Sequence, residues 1–155
     1  MEDSQQALAL LAEAKQIAQR YYALTGKPLG ITGEVAEYEA ARVLGVRLTP
    51  ARQAGYDATE LVGTSERKLQ IKGRYLPKGC TPGQRLGTIR REKEWDAVLV
   101  VLLDVHFNAT EIWEADRGAV LAALAVPGSR ARNVRGALAV AKFKSIGRLR
   151  WSMPA

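Results

Sequence analysis

Residues that carry chemistry are scarce in this chain of 155 residues. It has one cysteine, Cys80, one histidine, His106, and only two phenylalanines. A single thiol closes no internal disulfide and builds no Cys-based zinc site. His106 follows a very apolar run and reads as a structural residue rather than as the base of a Cys–His pair. No apolar run approaches the roughly 20 residues that a membrane-spanning helix needs. The opening Met1-Glu2-Asp3-Ser4 is acidic where a secretory leader would be basic. A reduced, cytoplasmic setting is therefore expected, with no membrane partner.

Acidic residues are also missing from the last quarter, where none follows Asp116. The eight basic residues after it are Arg117, Arg130, Arg132, Arg135, Lys142, Lys144, Arg148 and Arg150. They leave 15 of the 23 basic side chains in residues 1–116, against all 16 acidic ones. The net charge of +7 thus resides entirely in a basic C-terminal segment, 117–155. Such segregation suits a polyanion, because each neutralised phosphate releases counterions. A solvated basic tail is the plainer alternative. At 47% apolar and 25% charged the composition is that of a globular protein, and the length fits one domain, 1–155.

Local signals divide the chain into helices followed by strands. Asp3 or Ser4 can cap a helix over about 4–24, with Leu8, Leu11, Ala12, then Ile17 or Ala18, then Tyr21 on its apolar face. A second helix runs from an N-cap at Thr32 to about Leu44 with Gly45 as its C-cap. Val35, Tyr38 or Ala41, and Leu44 face its core. Residues 56–62 and 68–72 read as a hairpin around Gly63-Thr64-Ser65-Glu66, and residues 73–87 as a loop. Asp96 to Leu103 is a strand buried on both faces. A fourth strand is expected over 107–114, a helix over 117–126, and a last short helix over 138–144. Helices on a mixed central sheet make an α/β sandwich.

One stretch points to catalysis. Gly55-Tyr56-Asp57 is followed by Gln70-Ile71-Lys72-Gly73-Arg74, and Gly33-Glu34-Val35-Ala36-Glu37 lies upstream at a helix start. Phosphodiester hydrolysis requires charge neutralisation on the phosphate and an activated water, both of which a hard divalent cation supplies. Asp57 offers an oxygen ligand. Gln70 and Lys72, two apart on a strand, share a face, while Ile71 turns inward and leaves its main-chain carbonyl as a further ligand. Lys72 would orient the water and stabilise developing negative charge. Glu34 and Glu37, three apart on a helix, bring one or two more carboxylates.

With this layout the chain resembles the restriction-endonuclease-like, or PD-(D/E)XK, nuclease superfamily. Its members carry a helix with a glutamate, a strand hairpin with D…(E/D)-x-K, further strands and a helix. The resemblance covers about Gly33 to Ala125 and implies an αβββαβ sandwich, a mixed central sheet flanked by helices. It equates Asp57 with the first aspartate, Gln70 with the acidic position and Lys72 with the lysine. The helix glutamate is Glu34 or Glu37, since each follows a glycine at short distance. Implied metal ligands are Asp57, Gln70, the Ile71 carbonyl and Glu37 or Glu34. The implied activity is DNA cleavage with Mg²⁺ or Mn²⁺, by a homodimer or with a partner subunit, one site per strand. There are two departures: Tyr56 replaces the usual proline, and Gln70 is neutral. Some members carry Q-x-K and compensate with the helix glutamate.

The expected nucleic-acid contacts are Arg74, Arg85, Arg130, Arg132, Arg135, Lys142 and Lys144, with Lys78, Arg90 and Arg91 in the loop beside the site. Trp95, Trp113 and Trp151 read as core or edge packing rather than base-stacking platforms, with Trp151, inside the basic tail, the one to test for nucleic-acid contact, and Glu111 and Glu114 as exposed. Gln70 also leaves room for a catalytically inactive, nuclease-like module for DNA binding or assembly. An RNA-directed nuclease is the other alternative.

Overall fold

A computed structural model describes residues 2–49, 55–77, 84–126 and 138–155. The first elements are α1 (Glu2–Thr25), α2 (Thr32–Leu44), β1 (Arg47–Leu48), β2 (Ala58–Val62) and β3 (Ser65–Tyr75). They are followed by β4 (Ala97–Leu103), β5 (Ala109–Asp116), α3 (Arg117–Ala125), α4 (Val140–Ile146) and β6 (Arg148–Ser152). The strands form one six-stranded sheet in chain order. β3 and β4 are parallel and all other neighbours antiparallel. The expected α/β architecture with a mixed sheet between helices is therefore present, but with six strands in place of four. No helix among the described residues is long and apolar enough to cross a membrane.

All seven residues of β4 are buried, and they serve two cores. Ala97, Leu99, Val101 and Leu103 pack with Ala18 of α1 and Val35, Ala36 and Ala40 of α2. Val98, Val100 and Leu102 pack on the opposite side with Val120 and Leu124 of α3 and Phe143 of α4. Successive strand residues face opposite sides of a sheet, so helices on both faces require an unbroken apolar run.

Ala18, not Ile17, is the inward residue of α1, and Tyr22 rather than Tyr21 packs on the core. Lys15 anchors this face to the fully buried carboxylate of Glu39 in α2. Arg42 holds the same carboxylate through its Nε at 3.0 Å and Nη2 at 2.5 Å. A buried carboxylate stripped of its partners is strongly destabilising, so this triad locks α1 onto α2. The N-cap of α2 is Ile31, with no side-chain cap, rather than Thr32. The helix ends as expected at Gly45, whose φ of +73° gives a left-handed cap.

Expectations fail at the hairpin and again in the C-terminal part of the sheet. The hairpin turn is only Gly63-Thr64, and β3 runs on to Tyr75, so Gly73, Arg74 and Tyr75 pair with Val101, Leu102 and Leu103 rather than forming a loop. The C-terminal segment also supplies a strand. β6 pairs with β5, and Glu114, expected on the surface, is only 6% exposed. It accepts hydrogen bonds from Arg67 at 2.6 Å, Arg148 at 3.0 Å and Arg150 at 3.2 Å. Glu60 takes Arg150 at 2.7 Å and Arg67 at 3.0 Å. Hydrogen bonding from Arg150 holds the Glu60 carboxyl below its usual range. Burial pushes Glu114 the other way, but its arginines outweigh that and hold it low as well.

Candidate active site

The candidate residues converge where the β2 ladder stops short and leaves the edge of β3 open. The last pair is Ala58 with Leu69, and Asp57 sits just before it. The Asp57 N–H donates to the Leu69 carbonyl at 2.8 Å, and its Oδ2 accepts from the Ile71 N–H at 2.7 Å. The carboxylate is thereby fixed against the edge of β3. Alternate strand residues direct their main-chain groups to the same side, so the Ile71 carbonyl, like that of Leu69, lies on this open edge. The Ile71 side chain enters the core between sheet and α2, as expected.

Gln70 and Lys72 share the opposite face, in register with Val98 and Val100. Gln70 is 3% exposed, and its side-chain nitrogen is buried without a hydrogen-bond partner. It is no solvated strand position: a buried amide with an unused polar atom is destabilising unless something else meets it. Lys72 is half-buried and makes no ion pair among the described residues. Burial pushes its ammonium below the usual lysine range. Asp57 opposes that shift, Arg90 and Arg74 add to it, and Glu37 opposes it more weakly.

Glu37 reaches this cluster from α2. Its carboxyl is half-buried and raised to about 7, first by burial and then by Asp57 and Glu34, with Lys72 pulling the other way. Of the two helix glutamates, Glu37 is half-buried and coupled electrostatically to Asp57 and Lys72, while Glu34 is exposed and acts on Glu37 from the preceding turn. Gly73 makes the approach possible. A Cβ there would sit 2.5 Å from the Ala36 Cβ and 2.9 Å from the Thr32 carbonyl oxygen. Only glycine lets the first turns of α2 lie this close to β3. Reading the motif as Gln-x-Lys missed this residue, although a glycine inside a strand pattern is a signal of close backbone approach.

Cations border the cluster unequally. The Arg74 Nε donates to the Arg85 carbonyl, and Arg85 bridges to Ala139. The main chain of Arg90 is held by the buried Trp95, whose Nε1 donates to the Arg90 carbonyl at 2.7 Å, while Arg90 itself is exposed. Of the distal residues expected at nucleic acid, Lys144 pairs with Glu111 at 3.1 Å and lies 5.3 Å from the Trp113 ring, and Lys142 is exposed. Arg148 and Arg150 are committed to Glu114 and Glu60. Trp151 packs partly buried against the α2-side core and is not an open stacking platform. His106 is exposed on the β4–β5 turn. Lys78, Cys80, Arg130, Arg132 and Arg135 lie outside the described residues.

Among the described residues no three His, Cys, Asp or Glu side chains are close enough to hold a metal ion by themselves. The groups offered are of a different kind: the carboxylates of Asp57 and Glu37 and the main-chain carbonyl of Ile71, with the side-chain amide oxygen of Gln70 on the adjoining face of β3. All are hard oxygen donors of the class that Mg²⁺ takes while retaining water. A carboxyl whose proton affinity is raised by a neighbouring carboxylate, as that of Glu37 is by Asp57, also marks a place where a cation is welcome. The chain matches no known protein-family model and no curated protein.

Proposed function

We propose that this chain is a Mg²⁺-dependent phosphodiesterase that cleaves DNA. The observation carrying this reading is the Asp57 carboxylate fixed at the open edge of β3 by the Ile71 N–H, with α2 and its half-buried Glu37 packed closely on β3 at Gly73. It links a helix to two strands in the combination that the resemblance to PD-(D/E)XK nucleases implies. Asp57, Glu37, the Gln70 amide and the Ile71 carbonyl would hold the cation, which offsets phosphate charge and makes water a better nucleophile. Asp57 is oriented for this by the Ile71 N–H. Lys72, half-buried with its proton loosened, would orient the attacking water and then stabilise charge on the phosphate. Arg90 is the exposed cation best set to steady the scissile strand, with Arg74 beside it.

Supercoiled plasmid, branched oligonucleotides and a structured RNA, each with Mg²⁺, Mn²⁺ or EDTA, test the proposal. Wild type should nick DNA only with the metal, and Lys72→Ala and Asp57→Ala should lower the rate by at least about 100-fold. Metal-dependent cleavage confined to RNA would move the assignment to an RNA-directed nuclease. A second reading rests on the neutral Gln70 and the absence of a three-carboxylate cage among the described residues: a catalytically inactive DNA-binding module. It predicts DNA retention in EDTA and no cutting of any substrate, a result that would sink the enzyme.

A further inference from the structure

The outer side of α1 carries an apolar stripe that nothing in the described chain covers. Leu10 is 64% exposed, Ile17 53%, Tyr21 38% and Leu24 86%. The helix is anchored to the body elsewhere, through Ala18, Tyr22 and the Lys15–Glu39 pair. At about 100° per residue the stripe points roughly 130° away from that anchored face. Leu10, Ile17 and Leu24 recur every seven residues, the spacing of a helix–helix seam. They span about 21 Å at 1.5 Å per residue.

We infer that this stripe docks a second copy of the chain, with the two α1 helices antiparallel around a two-fold axis at Ile17. The sequence of the stripe is symmetric about that residue: Leu10 of one copy would meet Leu24 of the other, and Ile17 would meet itself. Charge selects the same arrangement. Glu13 and Arg20 lie along one flank of the stripe, both exposed, and neither makes an ion pair among the described residues. A two-fold axis through Ile17 keeps that flank on one side of the pair and brings Glu13 beside Arg20 of the second copy, twice over. Parallel two-fold pairing would put this flank on opposite sides of the pair and bring Glu13 to the uncharged flank of the second copy, without the Arg20 contact. On the other flank Ala7 and Ala14 are small, and the exposed Tyr21 extends the apolar surface there. A seam this short falls below the roughly 800 Å² per partner of a standard interface, so a dissociation constant on the order of 10–100 µM is expected.

Sedimentation equilibrium of the full chain, in EDTA and across that concentration range, reads the proposal without reference to catalysis. Wild type should follow a monomer–dimer equilibrium. Ile17→Glu should weaken it by about 30-fold or more, with circular dichroism unchanged because the side chain is exposed. Glu13→Arg and Arg20→Glu should each weaken the dimer, and the double reversal should restore it. In a Cys80→Ser background, Ile17→Cys should cross-link to itself on oxidation. Leu10→Cys should cross-link to Leu24→Cys in a mixture but not to itself. A chain that stays monomeric, a dimer indifferent to Ile17→Glu, or Leu10→Cys linking to itself would overturn the inference. So would failure of the double reversal to recover binding.

Discussion

Replacing Glu37 by glutamine should stabilise the metal-free protein at alkaline pH while abolishing its response to Mg²⁺. The Glu37 carboxyl stands at about 7 in the folded chain against an ordinary value of 4.5. Between those values the folded state binds more protons than the unfolded state, so stability falls as pH rises through the window and is level above it. At 1.36 kcal/mol per pH unit the interval corresponds to about 3.4 kcal/mol. The side chain is only half-buried and solvent screens it, so about 1–2 kcal/mol is the realistic size. Glutamine keeps the shape and removes the ionisation. Among the named influences on Lys72, Glu37 is the least, so little attraction is lost with it. Urea unfolding in EDTA should then give near-equal stabilities at pH 5, and a variant more stable by that amount at pH 8. Added Mg²⁺ should raise the melting temperature of wild type and leave Glu37→Gln where it was. An equal difference at both pH values, or a variant less stable at pH 8, would refute the reasoning.

Gly73→Ala should cost about 1–3 kcal/mol by urea titration, because the new Cβ would meet Ala36 at 2.5 Å and the Thr32 carbonyl at 2.9 Å. Nicking should suffer beyond that loss, since the displaced α2 carries Glu37. An unchanged midpoint would show that α2 does not rest on β3 there. Glu114→Gln should destabilise by about 3 kcal/mol, leaving Arg67, Arg148 and Arg150 around a neutral amide. Both Glu60 and Glu114 titrate below the usual 4.5 in the folded chain. Their contribution is complete above that value and disappears as pH falls through the lowered ones. The variant's acid unfolding curve should accordingly be flatter than that of wild type, and a curve of unchanged slope would count against the network.

How much was legible depended on the range of the signal. The bounds of α2 at Leu44, the doubly buried β4 and the β2–β3 hairpin all follow from local periodicity and turn chemistry. β6 did not, because Arg-Leu-Arg-Trp looks like a tail until Glu114 and Glu60 are placed across from its arginines. Glu114 itself alternates like a surface residue in β5. Its burial comes from arginines on β3 and β6, neither adjacent in sequence. In α1, Ile17 and Ala18 are nearly equivalent on an apolar pattern, and the reach of Lys15 to Glu39 decides which one turns inward.

For the candidate site, spacing alone put Asp57, Gln70 and Lys72 on neighbouring strands with Ile71 turned to the core, since a two-residue period is a property of any strand. It left Glu34 and Glu37 open, because residues three apart share a helix face. That choice depends on how close α2 comes to β3 and at what rotation. Gly73 against Ala36 and Thr32 sets that approach, and with it Glu37 is half-buried and coupled to Asp57 and Lys72 while Glu34 is exposed. The sequence by itself determined most of the elements, the doubly buried run of β4 and the residue types that can do chemistry, because these follow from local geometry. Which charges are consumed in ion pairs, which amide is buried unsatisfied and which glutamate meets the lysine were decided only by tertiary packing. Burial and Coulomb interactions act between residues brought together in space, whatever their separation along the chain.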